Sequence, residues 1–396
     1  MAPSLTSFLQ QLAMQLLANL QWLCELQVLA CIPLDGEVAL EEVAEISNVP
    51  VDQLQRVVRL MMTAEFLCEQ SSGHVAHTPL SASFVTEPDL LDASLFLAQV
   101  AVPAALRMPR SIDQHHPDDP DLSSTLIAQA DSRAAGPGLG LGSRLRSGYA
   151  AGFDPGQPRA QRLFAAYLAR AILDEGSAVD EVLKLVDWGA IGAGTVVDVH
   201  PPSITTIAMI AGLTPELQFV LQTSAPSNGH SGLMTGLEVS AWMTYQLPAT
   251  ISPRVTVQSR APAAPQTVVG AAVYVLRVPS PSPILPWASL RTQTMLELQA
   301  HLPVLRTQSE SRLLITALVL PAPRTIDYEA ETLVRLRDMS LLQLANERQP
   351  GKTEIVEMIA GIRDSGGCLV VTREVQTTAS AAIGLEVRYE PAARKY

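Results

Sequence analysis

Basic charge is what this 396-residue chain has least of. Its 27 Lys and Arg stand against 39 Asp and Glu, for a formal net charge of −12 at pH 7. Neutralising phosphates takes clustered Lys and Arg, so this balance excludes a non-specific polyanion binder. Cysteine is also sparse: Cys24, Cys31, Cys68 and Cys368 show no paired spacing. That excludes a disulfide framework and fits a reducing intracellular compartment. Near the start, Leu5 to Ile32 is rich in Leu, yet it lacks a basic leader and is interrupted by Gln10, Gln11, Gln15, Asn19, Gln21, Glu25 and Gln27. Leu9, Leu12, Leu16, Leu20 and Leu23 recur at three- and four-residue steps, the period of an amphipathic packing or dimer helix. Neither a signal segment nor a membrane partner is expected.

Apolar residues, by contrast, make up 47% of the chain, enough for large cores in two or three domains. Residues 1–100 spell out one module. A helix over Ala39–Ile46, a turn at Ser47-Asn48-Val49-Pro50 and a helix over Val51–Ala64 precede a hairpin around Ser71-Ser72-Gly73, the order of a winged helix-turn-helix. The polar face of the second helix offers Gln53, Gln55, Arg56 and Arg59 to base edges or phosphates. Residues 1–90, however, carry eleven acidic side chains, and Arg56 and Arg59 are their only Lys or Arg. Such a module repels a duplex at short range, so protein–protein contact is favoured over independent DNA binding.

Residues 101–160 are a connector rich in Gly and Pro. Within it, Gly138-Leu139-Gly140-Leu141-Gly142 imitates a cofactor loop, but no strand leads into it. From 161 to 396, short β-branched strands alternate with helices, which predicts an α/β domain built on a buried parallel sheet. Thr195–Val199 is its first strand, followed by Gln218–Gln222, Arg254–Val257, Ala271–Val278 and Arg312–Leu320. Cys368–Val371 and Leu385–Tyr389 form an edge hairpin. Glycine is missing where it matters most. After Asp198 the chain reads His200-Pro201-Pro202, where a nucleotide-binding turn needs glycines and free N–H groups.

A dimerising winged helix, a connector and a class I α/β domain together resemble the O-methyltransferase family. His77-Thr78-Pro79-Leu80-Ser81 matches the end of the family's wing. Pro215–Gln222, Tyr274–Arg277 and Ser311–Pro321 match its second, fourth and fifth strands. The resemblance implies a doubly wound sheet, S-adenosylmethionine as methyl donor and a catalytic base, and the departures fall on that chemistry. His200, Pro201 and Pro202 replace the glycines. Gln222-Thr223-Ser224 stands where an acidic residue would accept the ribose hydroxyls. Pro279-Ser280-Pro281-Ser282-Pro283 replaces the His-Asp-Trp motif that supplies the base. No catalytic residue, cofactor or metal is therefore expected.

One branch of the family fits better, the transcriptional coactivators of fungal aromatic-polyketide gene clusters (the aflatoxin-cluster coactivator family). It shares the winged-helix start, the connector and the Val-Val-Asp-Val-His-Pro-Pro loop. That resemblance implies a non-catalytic nuclear protein acting beside a zinc-cluster transcription factor, with Leu5–Ile32 serving a homodimer or docking on the partner. The alternative is a methyltransferase-like protein that keeps a small-molecule pocket, as a pericyclase or ligand sensor, without methyl transfer. His115-His116 with Asp118 and Asp119 reads as solvated loop rather than metal site. Gly351-Lys352-Thr353 reads as a loop that imitates a phosphate-binding tail.

Overall fold

The computed structural model describes residues 5–106, 157–172, 176–201, 204–223, 250–283, 285–345 and 347–392. Pro202, Gly138–Gly142 and His115-His116 lie outside them. The chain divides into two compact units, residues 1–173 with 343–346 and residues 174–342 with 347–396.

The first unit opens with α1 (Leu5–Glu25), a 3-10 turn (Val28–Cys31) and β1 (Val38–Ala39). Next come α2 (Leu40–Ser47), α3 (Val51–Thr63), β2 (Leu67–Cys68) and β3 (His74–His77). On α3, Leu54, Val58 and Met61 are buried at four- and three-residue steps, the stripe that makes it an amphipathic helix. The strands form an antiparallel sheet in the order β1-β3-β2. The motif His77-Thr78-Pro79-Leu80-Ser81 has a mechanical reason. Thr78 Oγ1 accepts the Ser81 N–H at 3.3 Å, and Ser81 Oγ accepts the Thr78 N–H at 3.0 Å. This reciprocal cap starts α4 (Pro79–Thr86), with Pro at the first position, where no N–H is needed.

After α4 comes α5 (Pro88–Phe96), which continues through a π turn (Leu97–Ala101) towards Leu106. This stretch is long and apolar enough to cross a bilayer, yet Leu95, Phe96, Val100 and Ala104 are buried within the unit. It is anchored to α6 (Pro158–Tyr167): Arg162 Nε donates to the buried Asp92 at 2.6 Å, and the Phe96 and Tyr167 rings lie 4.8 Å apart. The helix expected over Arg162–Ile172 thus packs with the first unit.

The second unit adds α7 (Gly176–Lys184), β4 (Thr195–Val199), α8 (Thr205–Leu213), β5 (Gln218–Thr223), β6 (Val255–Ser259) and β7 (Val273–Val278). Then follow α9 (Trp287–Thr307), β8 (Arg312–Leu318), α10 (Tyr328–Ala345), α11 (Lys352–Ala360), β9 (Arg363–Asp364), β10 (Gly367–Gln376) and β11 (Ala382–Pro391). Its sheet runs β6-β5-β4-β7-β8-β11-β10-β9. The first five strands are parallel, while β11, β10 and β9 pair antiparallel at the edge. One face packs on α9 and α11 through residues such as Leu290, Leu298, Ile355 and Ile359. The other packs on α7, α8 and α10 through Val182, Ile207, Ile210 and Val334. Strand order reverses between β4 and β7, the place where open α/β sheets hold their ligands.

The edge hairpin depends on Gly367. A β-carbon there would sit 2.1 Å from the Glu390 carbonyl oxygen, inside the β10–β11 pairing. Replacing Gly367 with Ala is expected to destabilise the chain by roughly 2–4 kcal/mol, because backbone rather than a side chain must move. A lower urea midpoint at unchanged m-value checks this.

Candidate functional site

The crevice at the carboxyl ends of β4, β5, β6 and β7 is where the family chemistry would sit. Asp198, next to last on β4, is fully buried. Arg277 on β7 meets it across the reversal point with both terminal nitrogens: Nη1 donates to Oδ1, and Nη2 to Oδ2 at 3.2 Å. A buried carboxylate is tolerable only when paired in this way, and the two-pronged geometry leaves neither carboxylate oxygen without a donor.

A second network closes the neighbouring space. Gln222 on β5 and Gln266, in the turn after β6, exchange amide hydrogen bonds of 2.6 and 3.0 Å. Gln266 Nε2 also lies 3.0 Å from His301 Nε2, and His301 Nδ1 lies 2.8 Å from the Glu297 carbonyl oxygen one turn earlier on α9. A carbonyl only accepts, so Nδ1 carries the proton and Nε2 accepts from the glutamine amide. The Glu297 carboxylate takes Arg260 Nη1 at 2.5 Å and the Ala263 N–H at 2.6 Å. Arg260 in turn donates from Nη2 to the Ala264 carbonyl and from its backbone N–H to Thr223. The side chains of Arg260 and His301 are 2% and 0% exposed, so this is a polar core rather than a solvated rim.

The departures that fall on described residues have places in this arrangement, while Pro202 and Ser224 lie outside them. His200 holds φ of 50°, a left-handed conformation that favours glycine. Its N–H donates to the Gln222 carbonyl at 2.8 Å. Burial pushes its imidazole below the usual histidine range, and Arg260 adds to this, against the opposing pull of Glu297 and Asp198. Pro201 has no N–H to offer. Gln222 and Thr223 are buried, with the Gln222 amide committed to Gln266. Ser280 and Ser282 are buried in the proline run: Gln349 Nε2 donates to Ser280 Oγ at 3.3 Å, and Ser282 exchanges backbone hydrogen bonds of 3.0 and 3.1 Å with Leu285. These residues do not fit S-adenosylmethionine. The turn offers neither glycine nor a free His200 N–H, and the ribose position offers no carboxylate.

The sequence reading missed Arg260, Gln266, Glu297 and His301. A signal existed on α9: Leu290, Thr294, Glu297, His301 and Leu305 follow one helical face and are all buried. Charged and polar residues at core positions of that stripe call for buried partners. Elsewhere, Gln53, Arg56 and Arg59 are exposed on α3 and Gln55 is half-buried, so the face proposed for DNA is available to solvent. Gly351-Lys352-Thr353 is a helix start rather than a loop: the Gly351 N–H donates to Glu354 at 3.0 Å, and Lys352 pairs with Glu374.

A family model, the O-methyltransferase dimerisation domain, matches residues 12–87. The dothistromin biosynthesis regulatory protein of Dothistroma septosporum is 38% identical over 97% of this chain and 84% of its own length. The monodictyphenone cluster transcriptional coactivator of Emericella nidulans is 35% identical over 97% of this chain and 85% of its own. For the aflatoxin cluster transcriptional coactivator of Aspergillus flavus the figures are 36%, 96% and 84%. Among solved structures, the fold is similar to N,N-8-amino-8-demethyl-D-riboflavin dimethyltransferase from Streptomyces davawensis. That likeness has a TM-score of 0.66 at 15% identity, over 98% of this chain and 99% of that one. A pericyclic reaction enzyme gives a TM-score of 0.61 at 14% identity, over 98% and 90%. Likenesses this distant in sequence show the fold alone.

Two outcomes follow from the buried network. Glu297→Gln leaves the Arg260 guanidinium buried and unmatched, and is expected to cost about 3–5 kcal/mol in urea denaturation. Replacing both partners with apolar residues (R260M/E297L) should cost less than E297Q alone. Burial, more than any other influence, also holds His301 below its ordinary value of 6.5. The unfolded chain therefore takes up the proton first, and stability is full above about pH 6.5 and declines as pH falls below it. Urea midpoints between about pH 7 and 5 should drop, and drop less in His301→Gln.

Proposed function

The chain belongs to the family of O-methyltransferase-like transcriptional coactivators of fungal aromatic-polyketide gene clusters, and from that premise we propose that it is a non-catalytic coactivator. In this reading it works in the nucleus beside a zinc-cluster transcription factor and regulates a secondary-metabolite cluster. The observation that carries the proposal is the closed polar core in the crevice. Donors and acceptors that an enzyme would keep for cofactor and substrate are spent on one another, through Asp198–Arg277, Gln222–Gln266 and Arg260–Glu297. Methyl transfer to a hydroxyl also needs a base within hydrogen-bond reach, and Pro279–Pro283 contains no titratable side chain.

The dimerisation-domain match fits a homodimer. The helix-turn-helix and three-stranded sheet of the first unit are read as a winged helix whose acidic surface suits protein contact better than DNA. DNA contact through Gln53, Gln55, Arg56 and Arg59 is the minor variant of the same proposal.

Deleting the gene is expected to lower the transcripts of one biosynthetic cluster, and pull-down from nuclear extract to recover a zinc-cluster factor. Unchanged transcripts and no recovered factor would overturn the proposal. Calorimetry with S-adenosylmethionine is expected to show no micromolar binding. Conversion of an aromatic polyketide intermediate by the purified protein would favour the pocket-retaining alternative.

A further inference from the structure

We propose that the open pocket beside β1 is a docking site for an arginine- or lysine-bearing segment of a partner protein. This rests on the reading that the chain works through such a partner. The pocket has a volume of about 520 Å³ and lies among the 3-10 turn, Pro33, β1, the start of α2 and His74. That is the size of sites that take a few side chains (roughly 300–1,000 Å³). Its charge is of one sign: Glu37 and Glu42 line it, and among the described residues no Lys or Arg does.

The two carboxylates are under-used. Glu37 Oε1 accepts from Ser71 Oγ at 2.6 Å, while its Oε2 is buried with no hydrogen-bond partner among the described residues. Glu42 is exposed, and no ion pair among the described residues includes it. A guanidinium or ammonium seated in the pocket would bring the opposite charge and donors that the exposed Glu42 and the lining Glu37 leave unmatched. Both residues of β1 line the pocket, and β1 is an edge strand of its sheet. An extended segment would find main-chain groups next to the side-chain site, a recurring mode of peptide capture.

Charge selects the occupant. Residues 1–90 stand at −9, with eleven acidic residues against Arg56 and Arg59. A second copy of this module thus brings few basic side chains to the pocket, whereas a protein that grips DNA must carry basic segments.

The test uses the full-length chain and two fluorescein-labelled peptides. One is Gly-Val-Arg-Val-Arg-Val-Gly; the other carries citrulline, isosteric but neutral, in place of both arginines. The arginine peptide is expected to bind at least about tenfold more tightly than the citrulline peptide. The variant E37Q/E42Q should weaken arginine-peptide binding by about tenfold. The control D52N/E65Q removes the same charge outside the pocket and should change it by less than about twofold. Melting temperatures report whether each variant is folded. If E37Q/E42Q is not folded, E42Q alone, at a side chain without structural bonds, serves in its place.

Equal weakening by both charge pairs overturns the proposal, as does failure of the arginine peptide to bind. Conversion of a dimer to a monomer by E37Q/E42Q in sedimentation also overturns it, because a second copy would then be the occupant. Cluster transcripts separate this proposal from its parent. Transcripts unaffected by deletion sink the coactivator reading. Transcripts lost on deletion but kept in a strain carrying E37Q/E42Q sink the pocket alone.

Discussion

The Asp198–Arg277 pair is the constraint around which the second unit is arranged. It joins β4 to β7 at the point where strand order reverses, with the carboxylate fully buried. Open α/β sheets leave a crevice here because the connections on either side diverge in opposite directions. In a cofactor-dependent protein the crevice is completed by its ligand. Here it is completed from within, by an arginine whose own strand is part of the sheet. Arg277 is not dispensable once the carboxylate is buried, since removing it strands Asp198 as an uncompensated charge.

The same logic extends outward from β4. Gln222 is next to last on the adjacent strand, and its amide is matched by Gln266, which is matched by His301, which is fixed by the Glu297 carbonyl. Arg260 and Glu297 add a second buried ion pair from the turn after β6 and from α9. A ligand site keeps polar atoms in reserve and satisfies them only on binding. This network holds little in reserve: its links are made by other residues of the chain, and among the described residues only the buried Arg260 Nε in it has no partner. Such a core is rigid and specific, as the proposed non-catalytic role requires.

Much of the fold was legible in the sequence because its signals are local. β4, β5 and β7 are β-branched, apolar runs buried on both faces, and such strands announce themselves without reference to anything distant. The turn after β4 was legible for the opposite reason, since prolines where glycines are needed violate a local rule. Residues 202 and 203 aside, the structure places that turn where it was read. The polar core was not legible. Gln222 and Gln266 are 44 residues apart, and Arg260 and Glu297 37, so nothing in either neighbourhood marks the other as its partner. Lys352 misled for a related reason. A glycine before it looks like loop chemistry, but Glu354 reaches back to the Gly351 N–H and turns the same residues into a helix start.

His200 shows how turn and network depend on each other. A β-carbon in a left-handed backbone costs on the order of 1–2 kcal/mol, and the conformation persists only where its surroundings over-determine it. Those surroundings are on hand: the His200 N–H is held by Gln222, and Gln222 is held by Gln266. The turn therefore keeps a glycine-like shape without glycine because the polar core behind it is closed. A protein whose crevice is finished by a ligand gains stability from that ligand by mass action. A crevice finished by its own side chains has no need of a ligand to complete it, which accords with the proposal that this chain acts through its surfaces.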